Sequence, residues 1–278
     1  MDDILDILYD YSINNRIFDK EAISKILDVL LTINSFDDKI SYLICKDDKT
    51  NLSNTSNGGV LGEFDMNSKI YIYYWEMLNA IRKNKYRTAI DEKYDLNSKE
   101  TAFKKNMFIL QTLFHELEHA KQAQIVDDMQ DNSLEKKLYQ FEINYVCVQD
   151  DVLSKGMLRY FITLFKHEFI YNMNYNISFM ERMANIKSYE EICNLLLKLG
   201  NDFNKLYDIQ KEVKDRFIVK DYKDGLIGPT TRFISNLGYT KYFTKNDLLE
   251  ALSELSLDDR IRYGFRITED EYTKKIKK

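Results

Sequence analysis

The sequence predicts an α+β fold that is mainly α-helical. Over most of the 278 residues, apolar side chains recur three or four positions apart, which places them on one face of a helix. Between residues 40 and 74 the pattern changes to short runs rich in isoleucine and tyrosine, separated by polar residues, which is typical of strands. We therefore expect a small β-sheet with helical parts on its N-terminal and C-terminal sides.

The N-terminal elements follow from these two patterns. Apolar stripes predict two helices over 2–15 and 20–34, and the width of the stripes indicates that both helices face the protein's own core. Residues 40–45 predict a first strand. The runs 59–65 and 69–74 flank a short polar turn and predict a hairpin.

A long helix is predicted to follow the sheet. Asn97 and Ser98 offer N-cap side chains, and no Gly or Pro interrupts the segment before Asp127. The apolar residues that recur there at helical spacing are Phe103, Met107, Leu110, Phe114 and Leu117. Further helices are predicted over 134–152, 156–173, 189–198 and 202–213, and over 248–255 with Asn246 as the N-cap.

Two of the three histidines lie within the long helix, in the motif His115-Glu116-Leu117-Glu118-His119. Residues four apart on a helix are separated by about 6 Å along the axis and roughly 40° around it. Both imidazoles therefore project from one face and can bind a single cation. Glu116 lies at a neighbouring edge of that face, where it can meet a water on the metal without ligating the metal.

This H-E-x-x-H motif resembles the active-site helix of the zincin metallopeptidases. The metzincin branch of that family would need a glycine at 122 and a histidine at 125, and the chain has Gln122 and Ile125 instead. The gluzincin branch takes its third metal ligand from a glutamate on a later helix, followed by a small residue and then a carboxylate or amide. Glu181, Ala184 and Asn185 match that second pattern.

The resemblance implies a zincin-like fold, in which the small β-sheet packs on the motif helix. It also implies a Zn²⁺ cofactor held by His115, His119 and Glu181, since catalytic zinc takes three protein ligands and keeps one open position. Glu116 would act as the base that helps a zinc-bound water to attack a peptide bond. The expected activity is that of a zinc metallopeptidase acting on a peptide or protein.

Several roles stay open at this point. His167 and Glu142 are alternative candidates for the third ligand. A hydrogen-bond donor to the oxyanion of the transition state is expected as well, and His167, Tyr171 and Tyr175 are the candidates. Asn185 could accept a ring N–H from one of the two ligand histidines and fix its tautomer.

Composition and charge exclude some classes of partner. The net charge is −5 and no basic block occurs, so we expect no nucleic-acid ligand. No segment is long and apolar enough to span a membrane, and the acidic N-terminus lacks the features of a signal peptide. Three scattered cysteines indicate free thiols in a reducing compartment. Together, these observations favour a cytoplasmic protein.

The resemblance covers roughly residues 59–190. We expect residues 1–98 to hold the N-terminal helices and the sheet, and residues 99–278 to form a helical part with the metal site, the two making one compact unit. Two other functions remain open: a metal-binding protein that has no turnover, and a helical interaction protein in which the motif is incidental. The metal content of the protein separates the second from a peptidase.

Overall fold

A computed structural model describes residues 1–36, 39–45, 61–65, 68–82, 99–153, 178–199, 222 and 226–275. These residues form ten helices and three strands, so the predicted α+β, mainly helical class is confirmed. In chain order the elements are α1 (Asp2–Ile13), α2 (Lys20–Ile33), β1 (Ser41–Cys45), β2 (Gly62–Asp65), β3 (Lys69–Tyr73), α3 (Tyr74–Arg82), α4 (Lys99–Asp127), α5 (Leu134–Leu153), α6 (Phe179–Leu199), α7 (Pro229–Leu237), α8 (Lys245–Glu254), α9 (Leu257–Tyr263) and α10 (Glu269–Lys275).

The two N-terminal helices form where the apolar stripes predicted them. Asp19 caps α2 by accepting a hydrogen bond from the backbone N–H of Ala22, at 2.9 Å. The apolar residues along one face of α2 are all buried, namely Ile23, Ile26, Leu27, Leu30 and Leu31. Burial of this stripe is what makes a helix of this length stable, because propensity alone contributes little.

The three described strands form one mixed sheet in the order β1-β3-β2. β1 runs parallel to β3, and β2 pairs with β3 as the predicted antiparallel hairpin. Ile70 and Ile72 of β3 are fully buried, and Gly62 of β2 is the register partner of Ile72. Directly opposed residues of an antiparallel pair share a face, so Gly62 lies on the buried face of the sheet.

Helix α4 is enclosed on most of its faces. Its predicted apolar stripe is buried, and five polar residues on its other faces are buried too: Asn106, Thr112, Glu116, Glu118 and Gln122. Buried polar groups need hydrogen-bond partners. Asn106, for example, accepts from the backbone N–H of Phe18 and donates to the backbone carbonyl of Arg16, both at 2.9 Å.

One hydrophobic core is formed by apolar residues of α5, α6, α7 and α8, of the segment before α8 and of the segment after α9. Its buried members are Leu138, Tyr139, Phe141, Phe179, Met183, Ile186, Phe233, Ile234, Phe243, Leu248, Ala251 and Phe265. Helix α6 runs without a break from 179 to 199, so the helix that the gluzincin resemblance implied around Glu181 and the helix predicted over 189–198 are one element.

The N-cap predicted for the 248–255 helix was wrong. Helix α8 begins earlier, and its cap is Thr244 rather than Asn246. The Thr244 hydroxyl accepts from the backbone N–H of Asp247 at 3.2 Å, and the Asp247 carboxylate accepts from the backbone N–H of Thr244 at 2.6 Å. This reciprocal capping box satisfies the backbone N–H groups of Thr244 and Asp247. Asn246 lies inside the first turn of α8 and therefore does not cap it.

The helices predicted over 156–173 and 202–213 and the caps Asn97 and Ser98 lie outside the described residues. The chain divides into two compact units, one with the described residues up to 121 and 187–199, the other with those of 122–186 and from 222 onward. The division falls within α4 and within α6. The division at 98/99 stays a prediction. None of the described helices is long and apolar enough to cross a membrane.

Candidate metal centre

The histidine pair of α4 is the starting point of the site. The Nε2 atoms of His115 and His119 are 3.1 Å apart, and the two rings are nearly perpendicular, at 88°. One turn of helix separates the two residues, so their side chains leave α4 on the same side, away from its apolar stripe. Both histidines are only half-buried.

Glu181 of α6 joins the two histidines. One ligand atom from each of His115, His119 and Glu181 lies within 4.8 Å of the others. Across the part of the chain that the structure describes, this is the one group of three or more His, Cys, Asp or Glu side chains that could hold a metal ion. The juxtaposition that the gluzincin resemblance implied is therefore present.

The spacing of the two histidine nitrogens suits a small divalent cation. Ligand bonds of 2.0–2.1 Å at a tetrahedral angle separate two ligand atoms by about 3.3 Å. The 3.1 Å between the two histidine nitrogens is close to that separation. Two imidazole nitrogens and one carboxylate oxygen are a donor set found in catalytic zinc sites, which keep a position for water. The three residues can hold a metal ion.

Glu116 lies beside this group and is not a member of it. Its side chain is buried and points toward the first residue of β2. A Cβ added at Gly62 would lie 2.7 Å from Cγ and 2.9 Å from Oε1 of Glu116. The absence of a side chain at 62 is thus what makes room for the Glu116 carboxylate on the sheet side of α4. The catalytic role of Glu116 stays a prediction.

The start of α6 is held by residues whose roles the sequence did not reveal. Ser178 caps the helix, since its hydroxyl accepts from the backbone N–H of Glu181 at 3.2 Å. Glu142 of α5 accepts a hydrogen bond from the Ser178 hydroxyl and another from the backbone N–H of Met180, the latter at 3.0 Å. Ser178 and Glu181 match the Ser-x-x-Glu pattern of a helix start, a signal that would have located this end of α6.

Two more side chains fix the same turn. Gln122 of α4 is buried and donates to the backbone carbonyl of Met180 at 2.9 Å. Arg182 is also buried and donates to the backbone carbonyls of Ile261 and Arg262, at 3.1 and 3.2 Å, where α9 ends. The sequence pattern gives Gln122 no role beyond its mismatch with the metzincin motif. Arg182 is a charge that the sequence alone would place in solvent.

Of the remaining candidates, the structure describes Glu142 and Asn185. Glu142 is not part of the metal-binding group, and both of its carboxylate oxygens accept hydrogen bonds at the start of α6. The amide of Asn185 donates to the backbone carbonyl of Glu181 at 2.8 Å, and its expected bond to a histidine ring stays a prediction. His167, Tyr171 and Tyr175 lie outside the described residues.

The chain matches no protein-family model, no curated protein and no solved structure. A function must therefore be inferred from the residues themselves and from the chemistry that their arrangement permits.

Proposed function

We propose that this protein is a zinc-dependent metallopeptidase of gluzincin type. The observation that carries the proposal is the convergence of His115, His119 and Glu181 within 4.8 Å of one another. A general base next to that group, Glu116, supports the same reaction class. A structural zinc site is normally closed by four protein ligands, whereas three ligands and a neighbouring carboxylate are the composition of a hydrolytic site.

The chemistry divides between the metal and the chain. Zinc, when bound, polarises a carbonyl and lowers the pKa of water to about 7. Glu116 takes a proton from the attacking water and passes it to the leaving nitrogen, acting first as base and then as acid. It lies against Gly62, where a larger residue would displace the carboxylate, so the glycine keeps room for a proton-transfer group at this place.

The sheet supports a peptide as substrate. β2 is at an edge of the described sheet order β1-β3-β2, and it contains Gly62, the residue that contacts Glu116. An extended peptide can add to such an edge through backbone hydrogen bonds, which is sequence-tolerant recognition. The resemblance to the zincins implies the same mode. We therefore expect the substrate to be an extended segment of a peptide or an unfolded protein.

The first test is the zinc content and peptidase activity of the wild type beside two variants. We expect about one zinc per chain in the wild type and in Glu116→Gln, and a weakened or lost zinc in Glu181→Ala. Hydrolysis of a fluorescently labelled, unfolded protein should fall by about 10²- to 10⁴-fold in Glu116→Gln. It should stop after chelation and return when zinc is added.

The matched control is the other glutamate of the motif. Glu118 is as deeply buried as Glu116, and its carboxylate pairs with Lys121 at 2.5 Å. Like Glu116, it is outside the metal-binding group. Glu118→Gln should keep the zinc and the activity. Wild-type protein that binds no zinc after reconstitution would leave the motif incidental, and zinc binding without Glu116-dependent hydrolysis would indicate a metal-binding protein that has no turnover.

A further inference from the structure

The backbone of Met180 is held from two sides by buried side chains. Its N–H donates to the Glu142 carboxylate at 3.0 Å, and its carbonyl accepts from the Gln122 amide at 2.9 Å. Gln122 is 1% exposed and Glu142 8% exposed, so water does not compete strongly for either bond. Met180 directly precedes Glu181, the third member of the metal-binding group.

These bonds act on one particular peptide group. The carbonyl of Met180 and the N–H of Glu181 belong to the same peptide bond, and the plane of that bond is rigid. The carbonyl accepts from Gln122, while the N–H donates to the Ser178 hydroxyl at 3.2 Å. The peptide group that leads into the Glu181 side chain is therefore fixed at both of its polar atoms.

Glu142 strengthens this arrangement by accepting two hydrogen bonds. The first N–H groups of a helix have no partner within the helix, so an acceptor from another element satisfies one of them. Glu142 accepts from both the Ser178 hydroxyl and the Met180 N–H, so it connects the cap of α6 to the turn that carries Glu181.

Gln122 holds the same turn from the side of α4. It is three residues after His119 on that helix, and its amide donates to the Met180 carbonyl. A shift of the start of α6 away from Gln122 would break this bond and move the turn that carries Glu181. The contacts of Met180 thus fix the backbone from which the Glu181 carboxylate extends.

We propose that Gln122 and Glu142 are positioning residues of the metal site, which determine metal affinity by fixing the Met180–Glu181 peptide group. This inference rests on the proposed zinc site and names the residues that tune it. Neither residue ligates the metal. Each acts through Glu181, as partners of metal ligands do in other sites, where their loss typically weakens metal binding by about 10- to 100-fold.

The test measures the zinc dissociation constant of the full chain by competition with a chromophoric chelator. Gln122→Met and Glu142→Met remove the hydrogen bonds while keeping similar volume, and both should weaken zinc binding by about 10- to 100-fold. Glu142→Gln keeps one acceptor oxygen and should recover part of the loss. The visible absorption of the cobalt(II)-loaded protein reports coordination geometry. It should change in Gln122→Met and Glu142→Met but not in the control variant Asn106→Leu.

Asn106 provides the matched control. It is a fully buried amide on the same helix, it bonds two backbone groups at 2.9 Å, and it lies about 13 Å along α4 from His115. Asn106→Leu should lower the melting temperature without changing the zinc dissociation constant. If Glu142→Met does not fold, Gln122→Met and Ser178→Ala, which removes the cap, carry the same test.

The outcomes separate this inference from the proposed function. Wild-type zinc affinity in folded Gln122→Met and Glu142→Met would overturn the inference and leave the zinc site intact. An equal loss of affinity in Asn106→Leu would also overturn it, because general destabilisation would then be the cause. Failure of the wild type itself to bind zinc would overturn both.

Discussion

In the proposed peptidase, replacement of Gly62 by alanine should separate catalysis from metal binding. The new methyl carbon would lie 2.7 Å from Cγ, 2.9 Å from Oε1 and 3.0 Å from Cδ of Glu116. Carbon atoms in contact prefer at least about 3.5 Å, so the Glu116 side chain must retreat by about 0.8 Å. A misplacement of about 1 Å in a catalytic group costs on the order of 100-fold in rate, or about 2.7 kcal/mol.

The assay compares three quantities in Gly62→Ala and the wild type. We expect kcat/KM on the unfolded-protein substrate to fall about 100-fold. Zinc content should be unchanged, because Glu116 is outside the group formed by His115, His119 and Glu181. The free energy of unfolding should fall by about 1–3 kcal/mol, the usual cost of overpacking a buried position.

A double variant shows whether the effect passes through Glu116. If Gly62 acts only by making room for that carboxylate, Gly62→Ala combined with Glu116→Gln should be no slower than Glu116→Gln alone. Gly238→Ala is the control for a glycine substitution that destabilises the protein without touching Glu116, since the φ of Gly238 is +77° and a Cβ there would meet nothing within 4 Å. That variant should lose about 1–3 kcal/mol of stability and keep full activity.

Two results would refute this reasoning. Wild-type activity in a folded Gly62→Ala protein would mean that a methyl group at position 62 does not displace the Glu116 carboxylate. Loss of zinc in the same variant would mean that the sheet acts on the ligands rather than on the base.

Three further predictions concern stability. Hydrogen bonds from Thr244 and the ammonium of Lys137 hold the pKa of Asp247 below its usual range, although burial opposes them. The stabilisation that this carboxylate contributes should therefore be complete above about pH 4 and be lost as the pH falls through its lowered pKa. Thermal unfolding between pH 6 and 2.5 should show this loss of stability in the wild type. An equal loss in Asp247→Asn would contradict the prediction. Arg182→Met removes donors from two carbonyls at the end of α9 and should cost about 1–3 kcal/mol in denaturant unfolding, whereas a change below 0.5 kcal/mol, on the order of a surface substitution, would show that the two bonds contribute little. Zinc at about 100 times its dissociation constant should raise the free energy of unfolding by about 2.7 kcal/mol, and chelation should remove that gain; a melting temperature indifferent to zinc would argue against the site.

Much of the fold was accessible from local patterns. Helical spacing predicted α1, α2 and α5 to within two residues at each end, and the hairpin was predicted from alternation and a polar turn. Such patterns are readable because burial of one face is a property of residues close together in the chain. The cap of α8 was misplaced by two residues, since Asn246 and Thr244 are both good caps and the reciprocal bond with Asp247 decides between them.

The metal-binding residues were partly accessible in the same way. His115 and His119 share a helix, so their spacing alone predicted a common face. Glu181 was reached only through the resemblance to gluzincins, because nothing in its local sequence distinguishes a ligand from a solvated helix glutamate. The sequence alone leaves Glu142 as an alternative candidate for the third ligand. Only its hydrogen bonds to the cap of α6 show its different role.

The sequence by itself determined α1, α2, α4 and α5, the hairpin and the common face of the two histidines, because each depends on contacts within a few residues. The tertiary structure alone decided which carboxylate joins the histidines, why position 62 has no side chain, and which residues hold Met180. Gln122 and Met180 are 58 residues apart, and Glu142 and Ser178 are 36 apart. Contacts at such separations arise only when helices pack, and no local periodicity encodes which helices meet.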